Sequence, residues 1–289
     1  MTVTKTITPP EPLNALADFA FDWAETLCDP EIGCTRYHKA WSMVRLIEAD
    51  AALPAGFDFF QRELSALASD GRIRILLSGA ADTGLAAMVL SALRPLGIEP
   101  EITLVDRCRT TLEQNRLFAQ YAGFSLTTLH QDAADVIIDP VDAVIVHSFL
   151  GFFAPEARQA VVNMWARNLA PAGRVLMSNR LTVGPVGVRP QPSPEDLAQR
   201  AEEFAQKLKQ KDVGPLRAAA MTEAALELWR KGVGTPQLGE QELTDLLTAA
   251  GLSIIAIERD RSGKTVPPMV MKSDALRRFR AELAVGHRG

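Results

Sequence analysis

The feature that most constrains this chain is a change of pattern at Arg72. Before it, apolar residues recur three and four positions apart. After it comes the short apolar run Ile73–Leu77, then Ser78-Gly79-Ala80-Ala81-Asp82-Thr83-Gly84, then a helical pattern over Leu85–Leu96. A brief apolar run bounded by small residues reads as a buried strand, and the following period as a helix. A loop of small residues between them lets backbone approach a ligand closely. The helix that follows offers free N–H groups and the positive end of its dipole. The unit therefore predicts an α/β fold with a ligand held at the strand–helix junction.

The rest of the chain repeats the alternation. Strands are expected at Glu101–Val105, Ser125–His130, Ala143–His147 and Arg174–Ser178, separated by helices at Thr110–Ala122 (with Gly123 as C-cap) and Pro155–Leu169. Buried strands joined by helices of this length imply right-handed crossovers and a parallel sheet. The first 70 residues read instead as three helices, Leu13–Leu27, Thr35–Glu48 and Phe57–Ala68. After the fifth strand a Gly/Pro-rich stretch leads to two polar helices, Pro194–Lys211 and Pro215–Lys231. Then come a helix at Glu240–Ala250 and strands at Ser253–Glu258 and Pro268–Lys272, close enough to pair antiparallel. The expected architecture is a Rossmann-like, mostly parallel seven-stranded sheet with an antiparallel C-terminal strand. An N-terminal helical cap (1–70) precedes the sheet domain (71–289), which carries a helical insertion at about 182–238.

Bulk properties narrow the function. The 289 residues are 47% hydrophobic with a formal net charge of −4, from 31 basic and 35 acidic side chains. This is ordinary for a globular protein and gives no broad basic footprint, so a nucleic-acid partner is not expected. The N-terminal stretch has no apolar run of signal-peptide length, and the longest apolar runs are far too short to span a bilayer. A cytoplasmic protein without membrane contact is expected. Three cysteines (Cys28, Cys34 and Cys108) do not make a disulfide framework. Cys28 and Cys34, with His38 four residues on, form one loose group where a zinc site usually shows two tight pairs. Buried or idle thiols are expected there, and no metal.

An acid closes the second strand. Asp106 lies 22 residues after Gly84, where a Rossmann-type sheet places the acceptor for a ribose diol. On its own this suits a dinucleotide or an adenosine cofactor equally. The loop lacks the G-x-G-x-x-G run, which removes the main support for a nicotinamide-dependent oxidoreductase.

Five segments, in order, resemble the motifs of class I S-adenosylmethionine-dependent methyltransferases. ILLSGAADTGLAAMVLSAL is similar to a degenerate form of their glycine-rich loop, and LVDRC to the second-strand acidic motif. LHQDAADV resembles the segment whose Asp touches the adenine amine, VDAVIVHSFLGFF the fourth-strand motif, and LAPAGRVLMSN the Leu-x-Pro-Gly-Gly turn into strand five. The resemblance spans roughly Ile73 to Lys272 apart from the insertion. It implies S-adenosyl-L-methionine as cofactor, S-adenosyl-L-homocysteine as product, and methyl transfer to oxygen, nitrogen or carbon of a small molecule.

Residue by residue, the resemblance implies a cofactor site of Ser78, Gly79, Ala80, Asp82, Gly84, Asp106, Arg107, Gln131, Asp132, Ala133, His147 and Ser148. Ser78 stands where the first acidic residue is usual, and Ala80 and Asp82 replace two glycines. Asp82 is open to two roles, receiving the methionine ammonium group or capping the helix that begins at Thr83. Asp106 is assigned to the ribose hydroxyls and Asp132 to adenine, or else to an Asx-type turn.

The acceptor belongs in the crevice at the carboxyl ends of the strands, where His147-Ser148-Phe149 and Ser178-Asn179-Arg180 emerge. The Asn/Asp-Pro-Pro-Tyr/Phe tetrapeptide of base-amino methyltransferases is absent. On the helix Thr35–Glu48, Tyr37, Trp41 and Arg45 share one stripe with His38 alongside. Trp41, Arg45, Phe149 and Arg180 are substrate-binding candidates, and His147, Tyr37 and His38 are candidates for deprotonating the acceptor. The insertion reads either as a lid, lined by Arg180, Arg189 and Arg217, or as the arm of a homodimer. Alternatives to methylation are other chemistry on S-adenosylmethionine, or a regulatory module that keeps only the fold.

Overall fold

The computed structural model describes residues 13–47, 52–181, 192–231, 238–259 and 275–283. Five parallel strands, β1 (Arg72–Ser78), β2 (Glu99–Asp106), β3 (Ser125–His130), β4 (Val141–His147) and β5 (Leu169–Leu181), lie in the order β3-β2-β1-β4-β5. The order reverses between β1 and β4, which opens a crevice above their carboxyl ends. β7 (Ala275–Leu283) runs antiparallel beside β5, and β6 (Leu252–Arg259) pairs antiparallel with β7. The expected last strand, 268–272, lies outside the described residues, and the strand formed in this part of the chain begins at Ala275.

β1 is buried on both faces, which is why it reads as an apolar run rather than an alternation. On one face α3 (Ala52–Leu67), α4 (Gly84–Leu93) and α5 (Arg109–Ala122) enclose Ile73, Ile75, Leu77, Val89, Leu104 and Phe118. On the other, α6 (Pro155–Arg167) and α9 (Glu240–Ala249) cover Leu76, Val144, Val146 and Met177 with Trp165, Leu243 and Leu247. Each such large side chain contributes about 1.5–3 kcal/mol through burial. α5 ends where expected, on Gly123 at φ +65°.

Several helix boundaries differ from the sequence reading; α3, for one, begins at Ala52 rather than Phe57. The stretch from Leu169 belongs to β5 and not to the preceding helix, because Val141 pairs with Leu169 before a register shift sends Ala143 to Arg174. Within that shift Ala172, in the place of a glycine of the Leu-x-Pro-Gly-Gly turn, sits at φ +63°. Further upstream, α4 stops at Leu93, and a single 3-10 turn carries the chain to Leu96.

The N-terminal helices divide. α3 is part of the sheet's own layer, fastened by Glu63 to Arg174 of β5 at 3.2 Å. α1 (Leu13–Leu27) and α2 (Thr35–Leu46) instead build a second core with the insertion helices α7 (Pro194–Gln210) and α8 (Pro215–Lys231). Phe21, Met43, Val44, Phe204, Leu208 and Met221 meet there. Arg217 of α8, expected along a lid, is turned to α1, 2.7 Å from Asp18 and 3.0 Å from Asp22. The apolar faces of the insertion helices are thus covered by this chain's own cap. No helix among the described residues is long and apolar enough to cross a membrane.

Candidate active site

The loop after β1 and the end of β2 form one unit. Gly79 N–H donates to the Val105 carbonyl at 3.0 Å, carrying the β1–β2 pairing one residue into the loop. Asp106, the last residue of β2, then accepts Ala80 N–H on Oδ2 at 3.0 Å and Cys108 N–H on Oδ1 at 2.7 Å. The carboxylate is aimed across the small-residue loop by two backbone donors. Burial pushes Asp106 up to about 6 despite those bonds. Each oxygen keeps a lone pair for a further donor.

Asp132 begins a 3-10 turn, Ala133–Asp135, by accepting Ala134 N–H at 2.9 Å. Arg107 lies 3.6 Å from its other oxygen. Ala133 is buried beneath this turn and Gln131 is exposed beside it. The ends of β2 and β3 are tied further by His130 Nε2 against the Arg107 carbonyl at 3.0 Å.

Ser78 does not face the loop. Its side chain is fully buried and its hydroxyl accepts the Trp165 indole N–H at 2.8 Å, linking β1 to α6. Asp82 is engaged as well. Arg45 holds both its oxygens, Trp41 Nε1 donates to Oδ2 at 3.1 Å, and Gly84 N–H donates to Oδ1 at 2.7 Å. Burial alone pushes the Asp82 carboxyl up, but the adjoining Arg45 guanidinium and these bonds hold it below the usual carboxylate range. Asp82 Oδ1 thus accepts at the first turn of α4, and the other bonds to the carboxylate come from the cap. Trp41 and Arg45, expected to meet an acceptor, therefore point to the loop. Nothing in the spacing of α2 reveals this, because the partner lies 37 residues downstream.

The tip of β4 supplies the aromatic side of the crevice. Ser148 adopts φ +47° and its N–H donates to the Ser178 carbonyl at 2.8 Å. Phe149 follows directly and lays its ring on Gly79, so closely that a Cβ on that glycine would fall 2.2 Å from the ring. Phe149 also meets Phe153 edge-on at 4.8 Å. From the cap, Tyr37 stacks on Trp41 at 6.0 Å and meets Phe152 edge-on at 5.1 Å. Tyr37 is half-buried in this group, and His147 is half-buried where β4 ends. Arg180 lies near the carboxyl end of β5, and its side chain is outside the described residues.

His38 is not at the acceptor mouth. It is buried between the Cys108 sulfur and the Ala81 carbonyl. Burial opposes its protonation, but Cys108 and Asp106 together raise its pKa. The same fold brings Cys28 and Cys34 to Cys108, with Cys28 Sγ and Cys108 Sγ 3.5 Å apart. Hydrogen bonds from Cys28 and Cys34 pull the Cys108 thiol far down, while Cys108 pushes Cys34 up and Cys28 up to about 11. Cys28 and Cys108 are buried as free thiols, and the loose group of Cys28, Cys34 and His38 gains a fourth member: Cys108 follows the second-strand acid, 70 residues after His38, and the sheet brings it back.

No family profile and no curated protein matches the sequence. Several solved structures share its fold. The Burkholderia thailandensis 1,6-didemethyltoxoflavin-N1-methyltransferase, solved with 1,6-didemethyltoxoflavin and S-adenosylhomocysteine, is 16% identical at a TM-score of 0.53, over 90% of this chain and 92% of that one. An S-adenosylmethionine-dependent methyltransferase from Clostridium acetobutylicum ATCC 824 is 12% identical at 0.51, over 84% and 96%. The [4+2]-cyclase SpnF is 15% identical at 0.50, over 78% and 81%. The chain spans 60% of the length of the mitomycin 7-O-methyltransferase MmcR and 56% of TnmH. At these identities the likeness establishes the fold.

Proposed function

We propose that this chain, which has the class I S-adenosylmethionine-dependent methyltransferase fold, is an enzyme that binds S-adenosyl-L-methionine and methylates a small molecule. One observation carries the reading. Asp106 ends β2 beside the switch point of the sheet, its carboxylate held across the 78–84 loop by Ala80 and Cys108 N–H. A ribose diol is the ligand such a carboxylate accepts, with charge-assisted bonds. Ala80 and Ala81 are small and half-buried and leave that part of the loop backbone accessible beside Asp106, while the Phe149 ring covers Gly79, so the residues present fit the group. In this reading Asp132, with Arg107, Gln131 and Ala133 around it, receives the adenine amine.

When bound, S-adenosylmethionine supplies a methyl group on a sulfonium sulfur, and S-adenosylhomocysteine is the product. The chain's own residues have three tasks. Asp106 and the loop fix the donor's position, and methyl transfer depends on in-line approach. Phe149, Phe152 and Tyr37 exclude water and offer flat surfaces, which favours a planar acceptor. His147 or Tyr37 takes the acceptor's proton as its lone pair attacks carbon. Within this reading the complete seven-stranded sheet and α3 form the catalytic domain. α1 and α2, with the insertion, form a cap over the cofactor loop.

The test has two arms. S-adenosylhomocysteine at about a hundred times Kd should stabilise the folded protein by about 2.7 kcal/mol and raise Tm by several degrees. Incubation with S-adenosylmethionine and a metabolite mixture should yield a product heavier by one methylene unit. No thermal shift at millimolar ligand sinks the cofactor reading. Binding without any methylated product points to other chemistry on the same cofactor.

A further inference from the structure

We propose that Cys28, Cys34, His38 and Cys108 bind a zinc ion that fastens the helical cap to the cofactor-binding edge of the sheet. The four donor atoms all lie within 4.8 Å of one another. Zinc takes four ligands tetrahedrally, with Zn–S near 2.3 Å and Zn–N near 2.0 Å, so its donors stand roughly 3.5–3.8 Å apart. The Cys28–Cys108 sulfur separation of 3.5 Å is already such an edge. Three thiols and one imidazole are a soft donor set, of a composition typical of structural zinc.

The surroundings are built for charged sulfur. Cys34 and Cys108 occupy the N-cap positions of α2 and α5, where unpaired N–H groups and the helix dipole favour thiolates. Cys34 and His38 are one helical turn apart and so share a face. Thr110 brings its hydroxyl within 3.2 Å of Cys28 Sγ. The Ala81 carbonyl lies beside the His38 ring, an acceptor of the kind that fixes ring orientation in metal-binding histidines. Simple packing does not account for the group. Among the described residues its buried members form a small cluster with Ala24 alone for apolar company, apart from the three larger cores.

All four ligands come from the protein, so the coordination is closed and the ion's role is structural. Its ligands come from the end of α1, from α2 and from the start of α5. Asp106 lies two residues before Cys108, and Ala81 lies in the loop. Binding therefore couples docking of the cap to the shape of the loop.

The inference is independent of which ligand or acceptor the crevice takes, because its test reads the metal. The full-length protein, purified under reducing conditions and reconstituted with zinc, should retain one zinc per chain after gel filtration, by elemental analysis. Cobalt in place of zinc should give the intense visible bands of a tetrahedral ion and thiolate-to-metal charge transfer. Cys34→Ala and Cys108→Ala should lose at least about nine-tenths of the metal, whereas His38→Cys, which completes an all-thiolate set, should keep it. If a variant fails to fold, the wild-type stoichiometry and cobalt spectrum still decide. Reconstituted wild type with no metal and three freely reactive thiols would overturn the proposal. So would an intact mass two hydrogens light from a Cys28–Cys108 disulfide, with no metal held.

Discussion

Arg45 of the cap and Asp82 of the loop after β1 form a two-pronged buried ion pair, Nε to Oδ2 at 2.6 Å and Nη2 to Oδ1 at 3.1 Å. Trp41 and Gly84 N–H complete the carboxylate's shell, and Asn115 Nδ2 donates to the Asp82 carbonyl at 3.2 Å. The loop is thereby held from α2 above and α5 below. A loop in which aspartate stands for glycine keeps its shape through this pair.

Removing one partner should be costly, because the other charge is left buried. Arg45→Leu or Asp82→Leu alone is expected to lower stability by about 3–5 kcal/mol. The double variant Arg45→Leu/Asp82→Leu should cost less than the sum of the two, since no lone charge remains. Urea unfolding curves of the four proteins close the cycle. Additive losses would mean that the pair contributes nothing beyond packing.

The same pair sets an acid response. The folded-state pKa of Asp82 is lowered, so its contribution is fully present above the unfolded value of about 3.9. It fades as pH falls from there through the lowered folded value. Wild type should lose stability on acidification below about pH 4 more steeply than Arg45→Leu/Asp82→Leu. Parallel curves would remove Asp82 from the acid response.

Asp106 makes the sharpest prediction about the ligand. Asp106→Asn keeps the side-chain shape and loses the charge. It should weaken S-adenosylhomocysteine by about thirty- to a thousandfold, or about 2–4 kcal/mol. Asp106→Ala should also destabilise the unliganded protein by about 1–3 kcal/mol, because Ala80 and Cys108 N–H lose their acceptor. Glu113→Ala, on α5 and paired with Arg116, is the control and should leave affinity alone. Calorimetric affinity of Asp106→Asn within threefold of wild type would place the ribose elsewhere.

Gly79 and Phe149 should behave as one unit. Gly79→Ala meets φ +75° and the Phe149 ring together, and should destabilise by at least about 1–2 kcal/mol from the backbone alone. Adding Phe149→Ala removes the clash and leaves only the backbone part. A double-mutant cycle on thermal unfolding reads the coupling. A cycle without coupling would show that the ring does not rest on the loop.

Ala172 offers the opposite sign. An alanine at φ +63° carries about 1–2 kcal/mol of strain, while glycine costs about 0.5–1 kcal/mol in unfolded-chain entropy. Ala172→Gly should therefore stabilise by about 0.5–1 kcal/mol in denaturant titrations, with no effect on ligand affinity. A loss of stability would mean that the turn relaxes in solution.

The apolar run of β1, the alternation after it and the acid ending β2 are local patterns. Burial on both faces writes a strand as consecutive apolar residues, and a capping glycine writes a helix end as Gly123. The sheet, the loop and Asp106 could accordingly be read from the sequence alone. What faces what could not. Ser78 occupies the place of an acid yet turns into the core to accept from Trp165, because the indole N–H needs a buried acceptor. Trp41 and Arg45 share a stripe that suits a substrate, but they close on Asp82, since a buried carboxylate must be paired. Cys108 is one thiol in the sequence and the fourth corner of a donor set in the fold. The chain itself determines which segments become strands and helices, through nearest-neighbour periodicity. Only the tertiary structure, through crossovers that bring residues 28, 38 and 108 together and residue 45 to residue 82, decides which polar groups satisfy one another and which remain for a ligand.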